Sequence, residues 1–191
     1  LFACEQRMDI RGFYLKLCAS FNELRQSLLD LADKNRDAVM SGYTHMQPSE
    51  PITFGHYLSG ILNALERDFR RIENAWESLN ICPLGGGSMG STTFMINRER
   101  TAELLGFDEP MQNSIDCTAS RDYCMDILSA FAIASNTLSR FAYDLYIWST
   151  PEYGYVEVDD SCAVCSSIMP QKKNPMTLEH VKGKAAHLEA F

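Results

Sequence analysis

The sequence lacks a stretch of about 18 uncharged apolar residues, so no membrane-spanning helix is predicted. No signal-peptide pattern is present either. The formal net charge is −8, whereas a general nucleic-acid binder needs a basic excess or a concentrated basic patch. These features argue against nucleic acid and membranes as partners. A small anionic substrate needs only a local cluster of positive groups, such as Lys172, Lys173, Lys182 and Lys184.

A disulfide framework is also missing. The seven cysteines are an odd set scattered through helical patterns, which indicates reduced thiols and a cytoplasmic location. Cys162 and Cys165 form one C-x-x-C, a spacing found in redox pairs and in zinc sites. Neither a second C-x-x-C nor a histidine pair accompanies it, so we predict no metal site.

Neither end of the chain has the features of a natural terminus. Leu1 already lies inside an apolar-periodic run and is not preceded by methionine. Phe191 ends another such run, and no capping residue or proline follows it. We therefore expect residues 1–191 to be a fragment that forms a single central helical-bundle domain, with N-terminal and C-terminal domains absent from this sequence.

Apolar residues recur every three or four positions in the first half of the chain, the spacing of one stripe on an α-helix. This spacing predicts a first helix over residues 10–36 and a second over residues 52–76. A loop is predicted between them around Gly42, because Pro48 and Pro51 make helix unfavourable there.

The longest pattern lies in the second half. Residues 115–148 keep one apolar stripe without glycine or proline before Pro151, which predicts a helix about 50 Å long. A domain of this size cannot cover such a helix alone, so we expect other subunits to pack on it. The predicted fold is an all-α bundle of long helices that associates into a larger bundle.

Shorter elements surround this helix. A short helix is predicted over residues 97–105, ended by Gly106. Residues 153–158 are predicted to be extended, and residues 159–175 to form a mobile loop. A last helix is predicted to start near Met176.

Three glycines form a candidate nucleotide motif. Gly85, Gly87 and Gly90 have the spacing G-x-G-x-x-G, which in dinucleotide-binding folds lets the backbone approach a pyrophosphate. The preceding segment is predicted to be a long helix rather than a strand, so the favoured interpretation is a glycine turn between helices. Its bare amides leave open a role in lining a substrate pocket.

One histidine lies in a polar loop. His45 occurs in S-G-Y-T-H-M-Q-P, where Thr44 and Gln47 are further groups that bind small polar ligands. The other histidines are interpreted as structural or solvated: His56, His180 and His187. No H-x-x-x-H pair suggests a metal.

Residues 166–175 carry the strongest chemical signal. They read S-S-I-M-P-Q-K-K-N-P and place two hydroxyls, two ammonium groups and an amide just before a helix. Positive charge and the helix N-terminus after Pro175 would stabilise an anionic substrate or a serine alkoxide. A solvated basic loop is the alternative that composition alone leaves open.

Three segments together resemble the fumarase/aspartase superfamily in order and spacing: T-H-M-Q-P with the following P-I-T-F-G-H, then P-L-G-G-G, then S-S-I-M-P-Q-K-K-N-P. Within it, the chain most resembles the argininosuccinate lyase family, through G-Y-T-H, Q-K-K-N-P, T-A-E-L-L-G-F, N-S-I-D, S-R-D-Y and W-S-T-P-E-Y-G-Y. The resemblance covers essentially the whole chain. It implies the central domain of a homotetramer, with each active site built from three subunits.

The resemblance also implies a cofactor-free carbon–nitrogen lyase that eliminates fumarate from argininosuccinate to give arginine. Such an enzyme removes a proton from the carbon beside a carboxylate. Ser166 would face that proton, with its alkoxide favoured by Lys172. His45 would act at the leaving nitrogen and pair with Glu179 across a subunit boundary. Which of the serine and the histidine is base and which is acid is left open. Three positions match substrate-binding residues: Thr44, Lys172 and Asn174.

One position departs from the family pattern. The residue before the serine pair is usually glycine and is Cys165 here, and glycine would let the loop close with dihedral angles that cysteine disfavours. Substrate identity is therefore less fixed than the superfamily. The alternatives are another fumarate-releasing lyase, for example of the adenylosuccinate type, and a non-catalytic structural relative. The fragment by itself is expected to be inactive.

Overall fold

The structure is a computed structural model that describes residues 1–190. Six α-helices hold most of these residues, and three two-stranded ladders lie between them. The elements are α1 Phe2–Lys34, β1 Val39–Thr44, β2 Gln47–Thr53, α2 Phe54–Leu79, β3 Ile81–Cys82, α3 Arg98–Leu105, β4 Glu109–Pro110, α4 Ser114–Ala119, α5 Asp122–Trp148, β5 Val164–Cys165, β6 Lys173–Asn174 and α6 Met176–Glu189. The predicted all-α class is confirmed. Within residues 1–190, no helix combines the length and apolarity needed to cross a membrane.

Several predicted elements are confirmed. The first two helices appear as α1, which begins eight residues earlier than predicted, and α2, whose ends shift by two or three residues, and the last helix starts at Met176. The short helix α3 begins after Asn97, whose side chain accepts the N–H of Arg100, and it ends at Gly106 with φ of 70°. Asparagine at the N-cap and a left-handed glycine after the last turn are the residues these positions favour.

The loop predicted around Gly42 is wrong, because β1 and β2 form an antiparallel hairpin there. Pro48 lies opposite Tyr43 and Pro51 lies opposite Ser41. A two-stranded ladder leaves one edge of each strand unpaired, so a proline can lie in it without losing a ladder hydrogen bond. The prolines therefore exclude helix but not an edge strand. The register shifts at Gly42, as expected for a bulge.

The single helix predicted over residues 115–148 is also wrong, because α4 ends at Ala119 and α5 begins at Asp122. Ser120 between them has φ of −72° and ψ of 136°, which is extended backbone. Its hydroxyl donates to the carboxylate of Asp116. Serine and aspartate side chains compete with helical hydrogen bonds in this way, so they favour helix ends. The apolar stripe continues across the break, so the spacing of apolar residues does not reveal that α4 and α5 are separate helices.

The connection from α5 to α6 differs in detail from the prediction. Residues 153–158 form a turn and irregular backbone rather than an extended strand. The loop predicted over residues 159–175 contains a short 3₁₀ helix, Asp160–Cys162, and the antiparallel pair β5–β6. The β5–β6 pairing holds together the two ends of the loop that contains Ser166.

Two compact units make up the chain, and the first contains residues 1–24 and 69–130. Its core includes a buried arginine, Arg7, which is 2% exposed. The guanidinium donates to the carbonyl oxygens of Ser78 at 2.5 Å and Leu79 at 2.9 Å and lies 3.9 Å over the ring of Tyr123. The last carbonyls of a helix lack intrahelical partners, so Arg7 satisfies the C-terminus of α2 from inside the core.

The second unit contains residues 25–68 and the residues from 131 onward. Leu58 and Leu65 on α2 are fully buried in it. The ring of Tyr57 packs edge-on against Trp148 of α5, with 4.6 Å between centroids. The hydroxyl of Tyr57 donates to Asp144 at 2.6 Å. All six residues predicted to form the site belong to this unit.

The stripe predicted on α1, which includes Phe13, Leu17, Phe21 and Leu28, is only partly right. Phe13 and Leu17 are 68% and 51% exposed, whereas Tyr14, Phe21 and Leu28 are buried. The buried positions repeat every seven residues, which is two turns of the helix. A second apolar set therefore lies on another face of α1 and remains open to solvent in the single chain.

Candidate functional site

The turn of the β1–β2 hairpin carries Thr44 and His45. Thr44 pairs with Gln47, so His45 and Met46 are the two turn residues, with φ of 52° and 60°. Two positive φ values are the signature of a type I′ hairpin turn, which usually selects glycine or asparagine. Left-handed backbone is unusual for other residues and is concentrated at functional sites. The turn therefore holds the histidine outward on strained backbone.

A tyrosine cluster supports this turn. The hydroxyl of Tyr43 lies 3.0 Å from that of Tyr155, and its ring packs edge-on against Tyr153 and Tyr155. The hydrogen bond to Tyr155 raises the pKa of Tyr43 to about 12. A cavity of about 260 Å³ lies beside the cluster and is lined by Thr44, Tyr57 and other groups. Tyr43, the residue before Thr44, is thus held in place by Tyr153 and Tyr155, which follow α5.

The β5–β6 hairpin carries the serine and two of the predicted substrate-binding residues. Val164 pairs with Asn174 and Cys165 with Lys173. Beyond them, the N–H of Ser166 donates to the carbonyl of Lys172 at 3.3 Å. The hairpin therefore brings Ser166, Lys172 and Asn174 to one end of a single loop.

Two adjacent lysines on this hairpin have different environments. The Nζ of Lys173 lies 2.7 Å from Asp160 and 3.2 Å from Glu157. The hydrogen bond to Asp160 raises the pKa of Lys173. Both lysines line a cavity of about 390 Å³ with Tyr146 and Glu157. Among residues 1–190, Lys172 has no side-chain ion pair or hydrogen bond. Lys172 is thus the lysine of the pair whose charge is available to a ligand.

Glu179 lies in the first turn of α6. Its Oε1 accepts a hydrogen bond from the hydroxyl of Tyr146 on α5 at 3.3 Å. One turn further along α6, the Nζ of Lys182 lies 3.9 Å above the ring of Tyr143 and 4.2 Å above that of Tyr146. Both tyrosines were missed by the sequence analysis. The two tyrosines are one helical turn apart on α5, and Glu179 and Lys182 are one turn apart on α6. Only the fold brings these two pairs into contact.

The structure brings some of the predicted residues together and leaves others apart. Ser166, Lys172 and Asn174 share one hairpin, and Thr44 and His45 share another. Within residues 1–190, no side-chain hydrogen bond or ion pair joins the two hairpins or connects His45 with Glu179. The meeting of the histidine and the glutamate across a subunit boundary stays a prediction.

Cys165 takes up ordinary backbone. It lies in β5, and it is not among the residues with positive φ. The conformation seen here therefore does not require the glycine that the family usually has at this position. All seven cysteines are free, and of these only Cys162 and Cys165 are exposed. Within the described chain, no cluster of three or more potential metal ligands is found.

The glycine motif in the other unit is a turn between α2 and α3. Gly85 and Gly87 have φ of 96° and 67°, and the preceding strand β3 has only two residues. The glycine turn is confirmed as local structure, but β3 precedes it and pairs in parallel with β4 across α3, so the expected absence of a strand before the turn is wrong. A cavity of about 360 Å³ lies against this turn.

Comparison with known proteins places the chain in a family. The family model described as Lyase matches residues 11–188. Argininosuccinate lyase 1 of Shouchella clausii is 53% identical over 189 residues, which cover 99% of this chain and 38% of that protein. Argininosuccinate lyase of Methanosarcina barkeri is 46% identical and covers 93% of this chain and 36% of that protein.

A solved structure is similar over the same extent. The structure of an EDDS lyase variant with bound fumarate has a TM-score of 0.96 at 37% identity, covering 98% of this chain and 38% of that chain. The chain thus spans about 38% of the length of these relatives. The chain belongs to the Lyase family, the fumarase/aspartase superfamily that its motifs predicted.

Proposed function

We propose that the protein containing this chain is a carbon–nitrogen lyase that eliminates fumarate from argininosuccinate and releases arginine. The relatives that support this substrate are argininosuccinate lyases at 53% and 46% identity. The motifs around His45 and Ser166 lie in the unit that carries all six predicted site residues, whereas P-L-G-G-G, T-A-E-L-L-G-F, N-S-I-D and S-R-D-Y lie in the other unit. The chain covers a minor part of those relatives, so other segments would complete the site.

The state of Lys172 is the observation that carries the proposal. Its ammonium group is unpaired within residues 1–190, while that of Lys173, which lines the same cavity, is paired with Asp160 and Glu157. A substrate carboxylate placed in this cavity would meet an unused positive charge. The backbone hydrogen bond from Ser166 to Lys172 keeps the serine at the same loop end. This arrangement suits proton removal beside a carboxylate, because the developing negative charge needs positioned positive groups.

The proposed reaction is an elimination. A base removes the proton from the carbon beside the carboxylate, and that electron pair becomes the new carbon–carbon double bond as the carbon–nitrogen bond breaks. The nitrogen keeps the bonding electrons and receives a proton from an acid. We assign these two proton transfers to Ser166 and His45. Glu179 pairs with the histidine of the partner subunit, and three residues hold the substrate: Thr44, Lys172 and Asn174.

Another fumarate-releasing lyase is the second candidate. The EDDS lyase variant carries bound fumarate, and its structure matches this chain with a TM-score of 0.96. The same loop chemistry would serve a substrate with a different amine. The two candidates differ only in the leaving group, so a substrate panel separates them.

The test measures ultraviolet absorbance of released fumarate, using the protein as its gene encodes it. Argininosuccinate, adenylosuccinate, malate and aspartate are supplied separately. We expect fumarate from argininosuccinate alone and loss of that signal in Ser166→Ala. Fumarate from another substrate alone would replace the proposed substrate, and none from any would favour the non-catalytic relative.

We further propose a homotetramer with active sites shared between subunits, located in the cytoplasm. Support comes from apolar side chains that the single chain leaves exposed on its two longest helices: Phe13, Leu17 and Leu29 on α1, and Met125 and Ile133 on α5. Light scattering should give four subunits. Mixing inactive Ser166→Ala and His45→Asn proteins should restore activity if one site takes these residues from different subunits. The free cysteines suit a reducing compartment.

A further inference from the structure

A tyrosine on α5 connects the cavity beside Lys172 with Glu179. Tyr146 lines the cavity of about 390 Å³, and its hydroxyl donates to the Oε1 of Glu179 at 3.3 Å. Glu179 itself is exposed, and within residues 1–190 its side chain has no other hydrogen bond or ion pair. An exposed glutamate carries several rotatable bonds, so one fixed donor restricts the directions in which its carboxylate can point.

The ring of Tyr146 is held as well. Lys182, one turn after Glu179 on α6, places its Nζ 4.2 Å above this ring and 3.9 Å above the ring of Tyr143. A cation over an aromatic face is attracted by the negative face of the ring. One turn of α6 therefore contacts the tyrosine pair twice, through a carboxylate and through an ammonium group.

We propose that Tyr146 is a positioning residue of the lyase site, which orients the carboxylate of Glu179 toward His45 of the partner subunit. This inference rests on the proposed function and on the proposed role of Glu179. Tyr146 acts through the carboxylate and has no chemical step of its own. Misplacing a group that supports the reacting atoms lowers the rate of the chemical step more than substrate binding.

The protonation of Tyr146 suits this role. The hydrogen bond to Glu179 and the negative charge of that carboxylate raise the pKa of Tyr146. The hydroxyl is therefore a neutral donor throughout the pH range in which such an enzyme would be assayed.

Tyr146→Phe removes the donor but keeps the ring beneath Lys182, so the fold should be retained. Tyr143→Phe is the matched control, because its hydroxyl forms no hydrogen bond in residues 1–190 while its ring contacts the same lysine. We expect Tyr146→Phe to lower kcat roughly tenfold, the usual effect of one lost hydrogen bond to a charged group, with KM unchanged. Tyr143→Phe should match the parent enzyme.

A double-mutant cycle separates a positioning role from a general structural one. Glu179→Gln should lower kcat, and adding Tyr146→Phe to it should cause no further loss, because the carboxylate through which Tyr146 acts is already gone. Parent activity in Tyr146→Phe would overturn the inference, and so would multiplied losses in the double variant. A raised KM with unchanged kcat would overturn it too, by indicating direct substrate contact.

A failure of the proposed function can be distinguished from a failure of this inference by the results of these assays. If the parent releases no fumarate from any substrate, the function and this inference both fall. If the parent is active but Glu179→Gln keeps full kcat, the role of Glu179 is wrong and the inference falls while the lyase activity stands. If Glu179→Gln is impaired and Tyr146→Phe is not, only the inference is wrong.

Discussion

The hydroxyl of Tyr57 on α2 donates a 2.6 Å hydrogen bond to the carboxylate of Asp144 on α5. The ring of Tyr57 also packs edge-on against Trp148, one turn further along α5. Burial and the bond to Asp144 both raise the pKa of Tyr57, so its proton remains on the phenol oxygen. One side chain thus joins two helices of the second unit through a polar and an aromatic contact.

Replacing Tyr57 by phenylalanine should destabilise the protein by about 1–3 kcal/mol. The aromatic contacts survive, but the half-buried carboxylate of Asp144 loses its donor, and an unsatisfied charged group is costly. Urea unfolding followed by circular dichroism measures the loss. Tyr143→Phe is the control, since that side chain is 52% exposed. Equal stability of the two variants would show that the bond to Asp144 contributes little.

The two adjacent lysines should respond differently to substitution. Lys172→Met removes an available charge from the cavity, and we expect kcat/KM for fumarate release to fall about a hundredfold or more, as when one preorganised donor is lost. Lys173→Met removes a charge that Asp160 and Glu157 already pair, and exposed pairs contribute little to stability. Its activity should stay within about threefold of the parent. A reversed order would mean that Lys173 is the substrate lysine.

Sequence periodicity predicted the long helices because their apolar stripes extend over many turns, so a single irregular position hardly alters the pattern. That strength is also why the break at Ser120 escaped prediction. The hairpin β1–β2 was missed for another reason. Its turn places His45 and Met46 at positive φ without the glycine or asparagine by which such turns are usually recognised.

The candidate site could be predicted by residue type but not by arrangement. The resemblance singled out Ser166 and Lys172, but the different environments of Lys172 and Lys173 appear only in the structure, because the carboxylates that neutralise Lys173 lie 13 and 16 residues earlier in the chain. Tyr146 escaped prediction for a similar reason. Its partner Glu179 is 33 residues away on a different helix, so no local pattern marks the pair.

The Tyr43–Tyr155 pair predicts a loss of stability at high pH. Tyrosine in an unfolded chain titrates near pH 10, whereas the hydrogen bond to Tyr155 raises the pKa of Tyr43 to about 12 in the folded protein. Between these values the unfolded state binds fewer protons than the folded state, so the free energy of unfolding falls as pH rises. The contribution is complete below about pH 10 and gone above about pH 12.

Tyrosinate absorbance tests this titration. Tyr43→Phe should remove one phenol that ionises late, and it should flatten the decline of stability between about pH 10 and pH 12. Tyr143→Phe again serves as the exposed comparison. An identical alkaline decline in the parent and in Tyr43→Phe would contradict the proposed support of the His45 turn by this pair.

Two glycines of α2 should respond to alanine in opposite directions. A Cβ at Gly55 would lie 2.6 Å from the carbonyl oxygen of Ala32 and 2.7 Å from the Cα of Arg36, and backbone atoms cannot move aside as a side chain can. Gly60, in the same helix, has nothing within 4 Å of its Cβ position. We expect Gly55→Ala to destabilise by about 1–3 kcal/mol through overpacking, and Gly60→Ala to stabilise by up to about 1 kcal/mol through helix propensity.

The position of Gly55 extends this prediction to activity. It lies two residues after β2 ends at Thr53, so a helix start pushed away from α1 would shift the hairpin that holds Thr44 and His45. Gly55→Ala should therefore lower kcat for fumarate release in addition to stability, whereas Gly60→Ala should leave kcat unchanged. The test measures the free energy of unfolding and kcat on the same preparations of both variants. If Gly55→Ala lost stability but kept full kcat, the hairpin would be held by the tyrosine cluster rather than by the start of α2.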